Sequence, residues 1–297
     1  MVNALPRISV IITCHSEGGL LAEAVHSIRE EEPIELVVVD DASPDAATHQ
    51  TLEMLEPEGV RVLRQKTNSG VAAARMTGLQ LTSAPFVYPL DADDHALPGV
   101  LARMADRLER EPEAAACVGD IVEFGEHDLI RETPAWLDPY RIAYTNDYPI
   151  TALFRRSAIE AVGGWRRLGD HQGYDDWNLW MGLAERGERI VHLGGPGYRR
   201  RLHGRRLNHE ARARHAHLYA AMRSAHPDLF ARLPEHSRAS DLSPLKKRLY
   251  PLVYGARAEV PFEHLLKPWF DRMGIWTRAR PEARSRRAGQ ASFLLAL

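Results

Sequence analysis

The stretch Phe86-Val87-Tyr88-Pro89-Leu90-Asp91-Ala92-Asp93-Asp94 decides how this chain is read. A short apolar run, with the composition of a buried strand, stops at three carboxylates within four residues. Clustered carboxylates repel one another and are costly to desolvate unless a cation neutralises them. Hard divalent cations such as Mg²⁺ or Mn²⁺ take oxygen ligands and often share them with substrate phosphates. A lone Asp-x-Asp would be read as an acidic surface turn. Here a second run, Leu36-Val37-Val38-Val39-Asp40-Asp41, ends the same way. Ligands of open α/β sheets bind outside the carboxyl ends of the strands. Two such ends predict a metal–nucleotide site on one edge of a sheet.

Working outward, strand and helix patterns alternate. Ile8–Thr13 reads as a strand, and Leu20–Arg29 as a helix with Leu21, Ala24, Val25 and Ile28 on one face. After Leu36–Asp40, Ser43-Pro44 supplies an N-cap and an N1 proline for the next helix. Val60–Leu63 is a strand, Gly70–Leu81 a helix and Phe86–Leu90 a strand. The helix after Pro98 places Leu101, Met104, Ala105 and Leu108 on one face. Such alternation predicts βαβ crossovers and a mainly parallel sheet. Ala115–Phe124 reads as a strand, Gly125 to Tyr148 as loop carrying Trp136, Tyr140, Tyr144 and Tyr148, and Arg156–Val162 as a short helix. A helix from Asp176 buries Trp177, Trp180, Met181 and Ala184.

Composition narrows the class. With 297 residues, 44% hydrophobic and 26% charged, the chain has the profile of a soluble globular protein. No run approaches the roughly 18 apolar residues of a membrane span, and the N-terminus lacks a signal-peptide pattern. Two cysteines, Cys14 and Cys117, are too few for a disulfide framework, so a cytoplasmic location is expected, with Cys14 a small core residue. The net charge of −2 divides into −15 over residues 1–196 and +13 over residues 197–297. The acidic part suits a metal; the basic part suits phosphates, an anionic acceptor, a lipid surface or docking against the acidic part. Two units are expected: a catalytic domain, residues 1–206, and a basic helical extension, residues 207–297. In the extension Leu245, Leu249, Tyr250, Leu252 and Val253 form an apolar stripe that needs cover, and Trp269, Phe270 and Trp276 among arginines suit packing or a peripheral membrane contact. Charge alone would allow nucleic acid, but no recognition motif supports it.

The ordered set of segments resembles a known family. Ile8-Ser9-Val10-Ile11-Ile12-Thr13, Val37-Val38-Val39-Asp40-Asp41-Ala42-Ser43, Asn68-Ser69-Gly70-Val71-Ala72-Ala73-Ala74-Arg75, Leu90-Asp91-Ala92-Asp93-Asp94 and Asp175-Asp176-Trp177 look like the pattern of a family 2 glycosyltransferase over residues 7–205. The resemblance implies a GT-A fold, a nucleotide-sugar donor (UDP-sugar), a divalent metal (Mn²⁺ or Mg²⁺), inversion at the anomeric carbon and a carbohydrate or glycoconjugate acceptor, as in bacterial glycan assembly.

The resemblance also implies roles. Thr13 and Asp41 match positions contacting uridine, Asp41 as acceptor of the uracil N3–H. His15 stands where the family often has tyrosine over the base. Arg75 matches a position near the sugar or diphosphate. Asp91 approaches the ribose or donor sugar, Asp93 the ribose and metal, and Asp94 the metal. Asp176 is the candidate base and also a helix cap, with Asp175 in place of the family's usual glutamate. Tyr198-Arg199-Arg200-Arg201-Leu202-His203 resembles the family's Tyr-Arg-x-His segment, so His203 would ligate the metal or bond the diphosphate. The run Arg199, Arg200, Arg201, Arg205 and Arg206 would order over the diphosphate or form a solvated strand. The rivals are a nucleotidyltransferase and a non-catalytic nucleotide-binding scaffold. The first would need cations in the loop after the first strand, which reads Cys14-His15-Ser16-Glu17-Gly18-Gly19. The second would lack the acidic pair.

Overall fold

The computed structural model describes residues 5–126, 128–169, 172–203, 211, 214–253 and 279–281. The expected alternation is present: β1 (Ile8–Cys14), α1 (Leu20–Ser27), β2 (Ile34–Asp40), α2 (Ala46–Leu55), β3 (Arg61–Arg64), α3 (Val71–Leu81) and β4 (Phe86–Asp91). Then come β5 (His95–Ala96), α4 (Val100–Arg110), β6 (Ala114–Gly125), β7 (Leu129–Arg131), α5 (Pro139–Ile142), β8 (Leu153–Arg155), α6 (Arg156–Ala161), α7 (Asp175–Glu185) and β9 (Arg189–Leu202). Four helices follow, α8 (His215–Ala225), α9 (Pro227–Ala231), α10 (Leu233–Ala239) and α11 (Pro244–Val253), and an edge strand, β10 (Ala279–Pro281).

All strands join one sheet with the order β10-β7-β6-β8-β4-β1-β2-β3, and β9 pairs with β5 and β6. The β3-β2-β1-β4 half is parallel. Central parallel strands are buried on both faces, which is why β1 is buried throughout and mostly apolar. Ile11 enters the core beneath α3 and α7, while Ile8, Val10 and Ile12 enter the core shared with α1 and α4. On α4, Leu101, Met104, Ala105 and Leu108 are buried as the pattern predicts. Gly78 lets α3 lie directly on β1, since a Cβ there would stand 2.3 Å from Ile11 Cγ2.

Register sets the position of the acids. Thr13 pairs with Val39 on one side and Asp91 on the other, so β1, β2 and β4 end together. Both β4 and β6 run antiparallel to β8, hence in the same direction, and β9 runs parallel to β6. His95 pairs with Arg199, which carries the end of β9 to the acidic turn after β4.

Four expectations are corrected. Asp45, not Ser43, caps α2, accepting the Thr48 N–H at 2.8 Å. Ser43 is instead drawn back by its own strand end, donating its N–H and hydroxyl to Asp40. The loop-rich segment contains β7 and the short helix α5. On α11 Tyr250 is buried, whereas Leu245 and Leu252 are exposed. Arg199, Arg200 and Arg201 lie on β9, where successive side chains alternate faces. Arg200 pairs with buried Glu123, while Arg199 and Arg201 flank the Phe124 ring. Arg205, Arg206, the tail aromatics and the expected boundary at 206 lie outside the described residues. Helices α8 to α11 and the loop before α11 contribute Leu218, Tyr219, Met222, Leu229, Leu242 and Tyr250 to the core that holds Trp177 and Trp180.

Candidate active site

The site is built on the strand ends. After β2, buried Asp41 accepts the N–H groups of Ser69 and Gly70, each at 2.7 Å, one on each oxygen. This bonds the loop before α3 to the strand, and Gly70 allows the turn through its φ of 87°. A carboxylate oxygen has two lone-pair sites, so each Asp41 oxygen keeps one for a ligand. His15 lies beside it, its Nδ1 2.9 Å from the Asp41 carbonyl and its Nε2 3.0 Å from Asn68 Nδ2. Asn68 Oδ1 accepts the Gly70 N–H, so its amide nitrogen faces His15 and donates to Nε2. The imidazole Nδ1 therefore donates to the Asp41 carbonyl. Thr13 is buried at the end of β1. Glu17 accepts the N–H groups of His15 and Ser16, so the loop after β1 is closed by an acid.

After β4 the Asp94 N–H bonds the Asp91 carbonyl at 3.0 Å, and this turn aims the acids in different directions. Asp93 faces His203 across 2.9 Å, at the partly open mouth of the site. Asp94 is buried and accepts the Arg201 N–H at 2.8 Å. Burial first, then the charges of Asp93 and Asp91, push its carboxyl well above its ordinary range. The turn thus favours positive charge beside it. Among the described residues, no group of three or more His, Cys, Asp or Glu side chains converges as a complete metal cage. Asp93 and His203 supply two donors, which fits a cation completed by diphosphate oxygens and water rather than by protein alone.

Arg75 ties the two halves together. It is 4% exposed and reaches Asp91 at 2.6 Å with one nitrogen and Asp175 at 2.5 Å with the other. The sequence signals both residues but not this pairing, because nothing in the spacing shows that α3 lies between β4 and α7. Asp175 is itself buried; burial raises its carboxyl and Arg75 opposes the rise.

Asp176 occupies the first turn of α7, preceded by Tyr174 at φ 60°. Its Oδ1 accepts the Trp177 N–H at 2.7 Å and its Oδ2 the side-chain N–H of Asn146 at 3.0 Å. Burial, then the neighbouring Asp175 charge, raise its carboxyl to about 6. A carboxylate with that value can receive a proton near neutral pH. Asn146 is a site residue the sequence reading missed; it sits in a loop without periodic signal. Beside that loop a cavity of about 550 Å³ is bounded by Trp136, Arg141, Asp147, Asp120, His192 and Lys246.

Comparison with known proteins agrees with this architecture. The sequence profile of glycosyl transferase family 2 matches residues 9–163, and the chain belongs to that family. Polypeptide N-acetylgalactosaminyltransferase 5 of Caenorhabditis elegans is 34% identical over 128 residues, 40% of this chain. That match spans only 20% of the worm enzyme's length. Among solved structures, residues 1–349 of S. aureus TarS, in complex with UDP-GlcNAc, superpose with a TM-score of 0.64 at 17% identity. The superposition covers 92% of this chain and 93% of that one. A mannosyltransferase of Pyrobaculum calidifontis, in complex with GDP-Man and Mn²⁺, gives 0.56 at 19% identity, over 91% and 81% of the two chains. The fold is thus of the GT-A type. The acid-closed loop after β1 is a poor cradle for a triphosphate, which weighs against the nucleotidyltransferase rival.

Proposed function

We propose that the protein is an inverting, metal-dependent glycosyltransferase that takes its sugar from a UDP-sugar and passes it to a hydroxyl of a carbohydrate or glycoconjugate. One observation carries the reading: Arg75 bridges Asp91 at the end of β4 and Asp175 at the start of α7, which supports a charged donor site and a separate base acting as one network. The neighbours bound to UDP-GlcNAc and to GDP-Man with Mn²⁺ support the donor class.

The residues then have these roles. Thr13, His15 and Asp41 surround the base, with a free lone pair of Asp41 accepting uracil N3–H. Asp93 and His203 would hold Mn²⁺ or Mg²⁺, with Asp94, bonded to the Arg201 N–H, behind them; the cation would supply charge stabilisation to the departing diphosphate. Asp91 and Arg75 orient the donor sugar. Asp176 accepts the acceptor hydroxyl proton as that oxygen bonds to the anomeric carbon. The bond from the anomeric carbon to the diphosphate oxygen breaks, and its electron pair leaves with the diphosphate. Attack opposite the leaving group inverts the carbon. Asp175, held by Arg75, sets the field around the base.

The test is a nucleotide-sugar screen for donor hydrolysis, with Mn²⁺ and with EDTA. UDP release from a UDP-sugar, abolished by EDTA and restored by Mn²⁺ or Mg²⁺, is expected. Full activity in EDTA would remove the metal. UDP should also stabilise the protein thermally more than CDP, because cytosine has no N3–H for Asp41. Equal shifts would remove the uracil assignment.

A further inference from the structure

The base reading of Asp176 leaves open what orients its carboxylate, and the loop opposite α7 answers that. Asn146 Oδ1 accepts the Tyr148 N–H at 3.1 Å, and Asn146 Nδ2 lies 3.0 Å from Asp176 Oδ2. These two contacts fix the amide. Turned over, it would set oxygen against carboxylate at one end and N–H against N–H at the other. The nitrogen therefore donates to Asp176.

The loop is held by the helix that carries the base. Trp177 Nε1 donates to the Ile142 carbonyl at 2.6 Å, and Trp180 Nε1 to the Pro149 carbonyl at 3.1 Å. The Tyr148 ring packs on Trp180 at 5.4 Å, and its hydroxyl donates to the Trp136 carbonyl at 2.7 Å. Asn146 stands between these two anchors, half-buried among buried neighbours. The next residue, Asp147, is turned away and paired with Arg141 at 2.6 Å.

We propose that Asn146 is a positioning residue, holding the Asp176 carboxylate toward the incoming hydroxyl and favouring its charged form. This rests on the reading of Asp176 as the base. The charges facing Asp176 are Asp175 on its own helix, Arg75 from α3 and Asp91 from β4. The loop side presents the neutral Asn146 amide as donor. A hydrogen bond given to a carboxylate lowers its pKa, so Asn146 opposes the rise that burial and Asp175 produce. Loss of the donor leaves more of the base protonated at neutral pH.

The experiment is an NMR titration of the full chain labelled at aspartate Cγ, over about pH 5 to 9. The Asp176 resonance is identified by its loss in Asp176→Asn. In Asn146→Ala the Asp176 midpoint is expected to rise by about one pH unit, about the worth of a hydrogen bond to a charged group. Asn146→Asp keeps an oxygen for the Tyr148 N–H, so it preserves the loop. It loses the donor and adds a charge, and should raise the midpoint further. This variant carries the test if Asn146→Ala does not fold. An unmoved midpoint in a folded variant overturns the proposal. If the midpoint rises and the acidic limb of donor turnover rises with it, both readings stand. If the midpoint rises while that limb stays in place, Asn146 still controls Asp176, but Asp176 is not the base.

Discussion

Replacing Arg75 by methionine tests the network that joins the two halves of the site. Methionine keeps the length of the aliphatic stem and removes the fork that reaches Asp91 and Asp175. The Asp175 side chain is 9% exposed, so without Arg75 its charge has no partner and little water. Removing one partner of a buried ion pair costs about 3–5 kcal/mol. The Asp91 side chain is 37% exposed and solvent compensates its loss, so the lower end, about 3 kcal/mol, is expected. At about 2–4 °C per kcal/mol, the melting temperature should fall by about 6–12 °C.

The pH dependence separates this account from a simple packing defect. Burial already raises the folded-state pKa of Asp175 with Arg75 present. Without the cation it rises further above the unfolded value. Such a carboxyl destabilises the fold at pH above its folded pKa, and the penalty disappears as it protonates. The gap between wild type and Arg75→Met should therefore be widest near pH 8 and narrow toward pH 5. Urea unfolding across that range measures it. A gap below about 1 kcal/mol, within the reach of a surface pair, or a gap that widens as pH falls, would refute the reasoning.

Two further outcomes are expected. Asp176→Asn keeps the shape of the helix start but cannot take a proton, so it should melt near the wild-type temperature and transfer sugar at least about 10²-fold more slowly; near-normal turnover would put another group in the role. A chain ending at residue 206 loses Leu218, Tyr219, Met222 and Leu229 from the core around Trp177. At about 1.5–3 kcal/mol each, that loss rivals a whole domain's stability of about 5–15 kcal/mol, so the truncated chain should be insoluble. A soluble product that hydrolyses donor would show residues 207–297 to be a separable extension.

The donor half was legible because each of its strands carries its own signal. β1, β2 and β4 are apolar runs, and the acids that matter sit where those runs stop. Helix α4 was equally plain, since one face of period 3.6 is buried and the rest is charged. What stayed hidden depends on distant contacts. Ser43 offered good capping chemistry, but Asp40 three residues earlier competes for its hydroxyl and leaves the cap to Asp45. The arginine run looked like a lid from charge alone. The strand period turns Arg200 to Glu123 and leaves its neighbours on Phe124, partners that only the β6–β9 pairing supplies. Asn146 carried no signal because its role is defined by α7, thirty residues on.

Several departures from ordinary folding rules lie on one edge of the sheet, and their position is itself an argument. Arg75 and Asp175 are buried ions, Asp94 is a buried carboxyl beside two others, and Ala42 and Tyr174 hold positive φ without being glycine. Each costs stability, of order 1–3 kcal/mol for a strained backbone and several for a buried charge. Both positive-φ residues sit beside the site, Ala42 next to Asp41 and Tyr174 immediately before the acid pair. A fold selected for stability alone would replace Arg75, Asp91 and Asp175 with a packed apolar cluster. Such a cluster would lack the charges that the proposed donor site and base require. The conflict between local cost and retained charge supports the proposal that this edge carries the reaction.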